Sequence, residues 1–198
     1  LSDVTTPAQL LQWFRSAWVA DSPWERIPME VPASAFGPGS RCQFIQYFEG
    51  DSLVSVSSID DIIAWLQTCE YVSDADQFHQ RDVWQRPSDF EGLRRGDCED
   101  FALWAWRKLI EIGVDAEFFV GCVICGGDPP VARQHAWIVY RSGTEVYLFE
   151  PAARDRQCMI QRWSAVKDDY IPHFAVNGGY VTSAFVGCLS DRLTRRTA

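Results

Sequence analysis

The sequence predicts an α+β fold in which a cysteine-headed helix packs on an antiparallel sheet. Three observations carry this. Apolar residues recur at helical spacing up to Ile112, and after Gly113 they fall into short strand-like runs. Helices and strands thus come in blocks rather than alternating as βαβ units. Two of the late runs are joined by the link 141–144, Arg-Ser-Gly-Thr, which reads as a hairpin turn.

Thr6-Pro7-Ala8-Gln9 opens the first expected helix, with Thr6 as cap, Pro7 at the first position and Gln9 at the third. Leu10, Leu11, Phe14 and Trp18 follow on one face. Residues 21–41 hold Pro23, Pro28, Pro32 and Pro38 and read as irregular. Residues 42–58 fit either short strands or covering loops. Ser58 caps a helix over 59–70, striped by Ile59, Ile62, Ile63 and Leu66. The polar stretch 71–95 reads as mostly irregular. The clearest helix is 98–112, buried along Phe101, Ala105, Leu109 and Ile112, and Gly113 ends it as a residue able to turn left-handed. Strands are expected over 117–124, 134–140 and 145–149. The segment 159–187 either adds strands or wraps the core.

A chain of 198 residues can bury a sizeable core without disulfides. It is expected to form one domain over 1–198, with a mostly helical or irregular lobe over 1–83 and a catalytic core and sheet over 84–198. The net charge is −9, and the one basic cluster is the short tail group Arg192, Arg195 and Arg196. This balance argues against a nucleic-acid partner. No apolar run is long enough for a transmembrane segment. No leader is visible, although the start at Leu1 leaves room for one removed earlier. Seven cysteines leave at least one thiol unpaired within the chain, and their spacing is unlike a dense secreted framework, which favours a reducing compartment such as the cytoplasm. The nine tryptophans either line a cleft or interface or fill an aromatic core. The oligomeric state is left open.

The stretch 96–102 reads Gly-Asp-Cys-Glu-Asp-Phe-Ala. Asp97 is a good N-cap, and Asp100 stands at the capping-box position. Cys98 is then the first helical residue, close to unpaired N–H groups and the positive end of the helix dipole, which favour a thiolate. Gly96 leaves room for close backbone approach. Glu99 and Asp100 oppose a lowered thiol pKa, so a nearby imidazole is needed. His135 supplies one. If Ser142 and Gly143 form the loop, or 141–144 together do, paired positions sum to 285 and His135 faces Glu150 directly. Cysteine, histidine and an orienting acid are the minimum set for a thiol nucleophile.

Gly-Asp-Cys-Glu-Asp (96–100), then His-Ala-Trp (135–137), then Tyr-Leu-Phe-Glu-Pro (147–151) together resemble the transglutaminase-like cysteine peptidase superfamily. The resemblance covers roughly residues 84–152. It implies a papain-like α+β core, and the family's bacterial members include peptidases that cleave adhesins. Carried over, Cys98 is the nucleophile, His135 the general base and Glu150 the orienter, where family members usually have aspartate. Trp84-Gln85-Arg86-Pro87 looks like the family's segment ahead of the nucleophile. It offers Trp84 or Gln85 as an oxyanion donor beside the Cys98 N–H. The implied reaction is thioester chemistry on a protein or peptide substrate, by hydrolysis or by transfer to an amine, with no cofactor.

The Cys122–Cys125 pair matches neither zinc nor redox use. A zinc site wants four ligands, Cys158 and Cys188 stand singly, and Gly126-Gly127-Asp128-Pro129-Pro130 follows where a redox motif would start a helix. Two buried thiols or a local disulfide are expected, and no metal. Gly37-Pro38-Gly39 matches no phosphate loop, and His79 and His173 read as isolated surface or loop residues. A contrasting reading is a non-catalytic scaffold that binds partners through a tryptophan-rich surface. The Cys98 and His135 pair favours the enzyme, because a scaffold needs neither.

Overall fold

The structure, a computed structural model, describes residues 24–40, 42–126 and 130–186. The expected helix over 6–20, Cys188 and the arginine tail lie outside these residues. The centre is a seven-stranded antiparallel sheet in the order β1-β9-β8-β4-β5-β6-β7. Its strands are β1 (Glu25–Pro28), β4 (Ala116–Cys125), β5 (Val131–Ser142), β6 (Glu145–Phe149), β7 (Ile160–Arg162), β8 (Tyr170–Asn177) and β9 (Thr182–Val186). The expected strands at 117–124, 134–140 and 145–149 are all present, and the segment after 159 adds three more. The proline-rich stretch is not irregular throughout. Pro28 ends β1, which pairs only with β9 among the described residues, and an outer strand tolerates a missing N–H.

The strands alternate as a period-2 pattern requires. Phe118, Val120, Ala136 and Ile138 bury one face, while Phe119, Trp137, Val139 and Leu148 bury the other under Trp163 and Tyr170. Against the first face lies α5 (Cys98–Glu111). It is buried all round from Glu99 to Leu109 rather than along one stripe. The reason is a second layer outside it, made of α2 (Ile59–Leu66) and α4 (Pro87–Leu93). On the outer side Trp104 stacks on Trp65 of α2 at 3.9 Å, and on the sheet side Trp106 packs on Phe118 at 5.8 Å. Ser58 caps α2 as expected, accepting the Asp61 N–H.

Residues 42–95 hold more order than the sequence suggests. They include α1 (Phe44–Tyr47), α3 (Asp74–Phe78) and a parallel pair of short strands, β2 (Glu70–Tyr71) and β3 (Arg95–Gly96). These helices are too short to stand alone in water. α1 forms because Phe44 and Tyr47 bury against the core, and α3 because Ser73 caps it and its buried Asp74 accepts the Val83 N–H.

One polar network runs through this packing. Lys108 on α5 is wholly buried. Its ammonium donates to the Ser52 hydroxyl, to the Val54 carbonyl at 2.6 Å and to Glu111 Oε2 at 2.9 Å, and pairs with Glu91 Oε1 at 3.3 Å. Glu91 also accepts the Trp104 indole N–H at 2.9 Å and the Leu53 N–H at 2.8 Å. The network staples the 52–54 loop to the helix. Lys108→Ala leaves Glu91 buried without its cation, and is expected to destabilise the fold by about 3–5 kcal/mol in chemical denaturation. Glu111→Ala, at a half-exposed partner, is expected to cost less than about 1 kcal/mol.

Candidate active site

Cys98 begins α5 beside a cavity of about 510 Å³ that is also lined by Trp84, Asp97, Glu99, His135 and His173. The start of the helix is built by a capping box between Asp97 and Asp100. Asp100 also accepts the Gln85 N–H at 2.8 Å and the Gln85 side-chain amide at 2.5 Å, so it ties the segment ahead of the helix to its first turn. A Cβ on Gly96 would overlap the Asp100 carboxylate. This glycine therefore lets the chain pass close to the cap.

The Cys98 sulfur receives the backbone N–H of Ala136, the residue after His135. Its thiol donates to Glu99 Oε2 at 3.3 Å. Burial first, then the charges of Glu99 and Asp97, push the Cys98 thiol well above its ordinary range. This corrects the expectation that the helix N-terminus favours a thiolate. The dipole amounts to roughly half a charge, and it is outweighed by desolvation and two carboxylates. Burial likewise pushes Glu99 well above the carboxylate range, followed by its contacts with Asp97.

His135 and Glu150 meet, but not in the expected register. The turn is Gly143–Thr144, with Gly143 at φ 61, as a type II′ hairpin places its glycine. Ser142 pairs with Glu145 and Ile138 with Phe149. Continuing that ladder sets Trp137, not His135, across from Glu150. The offset is two residues, so His135 and Glu150 still share a face and meet diagonally. Diagonal neighbours lie about 7–8 Å apart, a gap that suits the extra methylene of glutamate over aspartate. His135 Nε2 lies 2.6 Å from Glu150 Oε2, which leaves Nδ1 free. The Tyr170 hydroxyl also bonds Glu150; burial first, then the Glu150 charge, push that phenol up. The Trp137 ring lies nearly parallel to His135 with centroids 6.3 Å apart.

The two oxyanion candidates differ in placement. Trp84 lines the cavity, with its indole N–H donated to Asp82 Oδ1 at 3.2 Å. Gln85 does not line it. Its side-chain amide is committed to Asp100 and to the Arg95 carbonyl at 2.8 Å. Gln85 therefore supports the helix start and does not face the cleft.

Several site features have no local signal in the sequence. The register of β4 against β8 shifts between Val120 and Gly121, leaving His173 as the extra residue of a bulge. Such bulges re-aim side chains. His173 is no isolated loop residue: it is half-buried, faces the cavity, and sets Nε2 3.9 Å from Cys122 Sγ. Gly121 stands directly across from His135, and a Cβ there would overlap the Ile171 carbonyl oxygen. Cys122 and Cys125 lie three apart on one strand and so point to opposite faces, which rules out the local disulfide. Every cysteine among the described residues is free. Of the described tryptophans, Trp24, Trp84, Trp104, Trp106, Trp137 and Trp163 are buried. Trp65 is half-buried, so no tryptophan among the described residues is exposed.

The fold also gathers carboxylates from distant parts of the chain. Asp74, Asp82 and Glu99 can bring one oxygen each within 4.8 Å of one another, as can Asp74, Asp97 and Asp100. Asp74 Oδ1, Asp97 Oδ1 and Glu99 Oε1 are buried without a hydrogen-bond partner. An all-oxygen donor set with open valences fits a hard cation of the calcium type. Burial raises the Asp74 carboxyl to about 6 and the Asp100 carboxyl to about 8, from an ordinary 3.8. Both therefore hold protons in the folded chain that the unfolded chain releases near pH 4. Their contribution to stability is present below that pH and is lost as the pH rises through about 6 for Asp74 and about 8 for Asp100. The melting temperature in metal-free buffer is thus expected to fall between about pH 5 and about pH 8.5. Asp74→Asn should flatten the lower part of that slope.

No protein-family model and no curated protein sequence matches the chain. Solved structures do. LapG of Legionella pneumophila in a calcium-bound form matches at 20% identity and a TM-score of 0.46, over 71% of this chain and 78% of that one. The EGTA-treated form matches at 19% and 0.48, over 71% and 77%. A putative cysteine protease from Cytophaga hutchinsonii matches at 16% and 0.41, over 83% of this chain and 58% of that one. At such identities the likeness is one of fold alone. The chain's own architecture, a helix packed against a multi-stranded antiparallel sheet, is consistent with a papain- or transglutaminase-like core.

Proposed function

We propose that the chain is a cysteine-dependent hydrolase of peptide or amide bonds that works through a thioester on Cys98. The observation that carries this reading is the 2.6 Å contact between His135 and Glu150 at the edge of the cavity that Cys98 lines. A thiol, an imidazole with one nitrogen free and an acid on the other nitrogen are the groups that acyl transfer through sulfur requires. His135 Nδ1 takes the Cys98 proton as sulfur attacks the carbonyl carbon. The oxyanion forms near the Cys98 N–H, and the Trp84 indole N–H would have to leave Asp82 Oδ1 to become its second donor. The imidazolium returns the proton to the leaving amine, the C–N bond breaks, and a thioester remains. Water, deprotonated by His135, then releases the acid and restores the thiol. An amine in place of water would make the same site a transferase.

The high thiol pKa is part of this reading. Proton transfer from Cys98 must overcome Glu99 and Asp97. A hard divalent cation would be held by Asp74, Asp82, Asp97 and Glu99, and what it supplies is positive charge beside those acids. In the metal-free chain the acids keep the cysteine protonated, and His135 must do more of the work.

Cys98→Ala should abolish turnover of a peptide and glutamine-amide panel, and His135→Ala should lower it by about 10²–10⁴-fold. New N-termini, ammonia release and incorporation of an added amine separate peptidase, amidase and transferase. Glu150→Asp, although it restores the family's usual residue, is too short for the diagonal and is expected to lower turnover by about 10²-fold. Calcium at about 100 times its Kd should raise the melting temperature at pH 8 by roughly 5–10 °C, and Asp74→Asn should remove the rise. The reading fails if iodoacetamide alkylates Cys98 slowly at every pH and His135→Ala changes nothing.

A further inference from the structure

The two edges of β5 are not equally covered. β4 pairs with it from Val131 to Tyr140, but β6 pairs only from Ile138 to Ser142. Among the described residues no strand lies on the second edge from Val131 to Trp137. The cause is visible in the next segment. Glu150 gives its N–H to the Met159 carbonyl at 2.8 Å, on the β7 side as the ladder requires, and Pro151, the next residue whose N–H would face β5, has none and begins a turn.

The direction of each main-chain group on this strand follows from one hydrogen bond. The Arg141 N–H reaches the Asp115 carbonyl at 2.9 Å, on the β4 side. In an unbroken antiparallel ladder the direction alternates by residue. Arg133, His135 and Trp137 therefore point their N–H and C=O at β4, and Ala132, Gln134 and Ala136 point theirs away from it. The hairpin agrees, because its two-residue turn closes on the Ser142–Glu145 pair, so that Tyr140 and Ile138, two and four residues back, also point toward β6. Ala136 agrees too: its N–H meets the Cys98 sulfur. The sulfur thus sits in line with the open edge, where β6 would have continued. The next groups along that line are the main-chain donors and acceptors of Gln134 and Ala132. Both residues are exposed, and neither group has a partner among the described residues.

We propose that this open edge, Ala132 to Gln134, is where the substrate docks, as an extended stretch of polypeptide that adds a strand to β5 and runs to Cys98. The proposal rests on the reading of Cys98 as the acyl acceptor and names the form of its substrate. A row of N–H and C=O groups repeating every second residue is matched by another extended main chain. Two residues of strand span about 6.8 Å. The substrate residue paired with Gln134 therefore lies about two residues from the carbonyl that meets the sulfur. Alternate side chains of the added strand fall on the cavity face beside Gln134, which lines it. Recognition is by main chain, so flexible linkers and unfolded segments are substrates while stretches locked in a folded domain are not.

The test uses chloromethyl ketones, which alkylate a thiol by forming a C–S bond, releasing chloride and passing the thiol proton to His135. Acetyl-tetraalanyl chloromethyl ketone is compared with the acetyl-alanyl reagent on the full chain. Alanine keeps side chains out of the comparison. The longer reagent should modify Cys98 at least tenfold faster. Gln134→Pro removes the outward N–H without touching the ladder to β4, and should lose most of that gain relative to Gln134→Ala. Methylating the amide nitrogens of the tetraalanyl reagent in turn needs no protein variant. Alternate positions should abolish the gain and the others spare it. No gain with length, equal gains in Gln134→Pro and Gln134→Ala, or indifference to methylation would overturn the docking while leaving Cys98 reactive. Failure of both reagents and of iodoacetamide to modify Cys98 would instead sink the proposed function and the docking with it.

Discussion

The arrangement around Cys98 depends on how Asp100 is buried. One carboxylate accepts the Gln85 main chain, the Gln85 side chain and the Asp97 N–H. These bonds bring the 84–85 segment against the first turn of α5, and they bring Trp84 to the wall of the cavity. The same contacts explain why Gly96 must lack a side chain and why Gln85 is turned from the cleft. Removing a buried acceptor of this kind leaves several donors unpaired at once. The helix start, the Trp84 wall and the position of the sulfur would be expected to shift together.

Around that anchor the electrostatics pull in two directions. The backbone at the start of α5 and the Ala136 N–H favour a negative sulfur. Burial, Glu99 and Asp97 favour a thiol. The second group prevails because unpaired charge in a poorly solvated site is far more costly than a helix dipole is helpful. Three carboxylate oxygens without partners in the same region make this balance a poised one. Any positive charge that arrives there changes the acids first and the cysteine second.

Much of this was legible in the sequence, for local reasons. The caps Asp97 and Asp100, the Gly113 stop and the period-2 runs after it act over a few residues, and each appears where expected. The hairpin register was two residues off because Ser142-Gly143 and Gly143-Thr144 are equally good loops on paper. The parity survived, so the His135 and Glu150 contact survived, as a diagonal. The rest depended on distance in sequence. Asp74 and Asp82 reach Glu99 only through the folding of 71–95, whose short helices are held by burial rather than by their own periodicity. The thiol's protonation is set by desolvation, which no motif encodes. His173 entered the cavity through a bulge, and a bulge shows only once two strands are paired.

Pro151 has an effect beyond ending β6. A strand edge left without a neighbour is available to any extended chain, including a second copy of this one. Where the edge runs into β5, Pro130 offers no N–H and Arg133 adds a charge, and the net charge of −9 keeps copies apart in dilute salt. These are modest protections, and salt weakens the last of them. The chain therefore trades colloidal security for an open strand position, and its solubility at high concentration and high ionic strength is set at the same few residues that border Cys98.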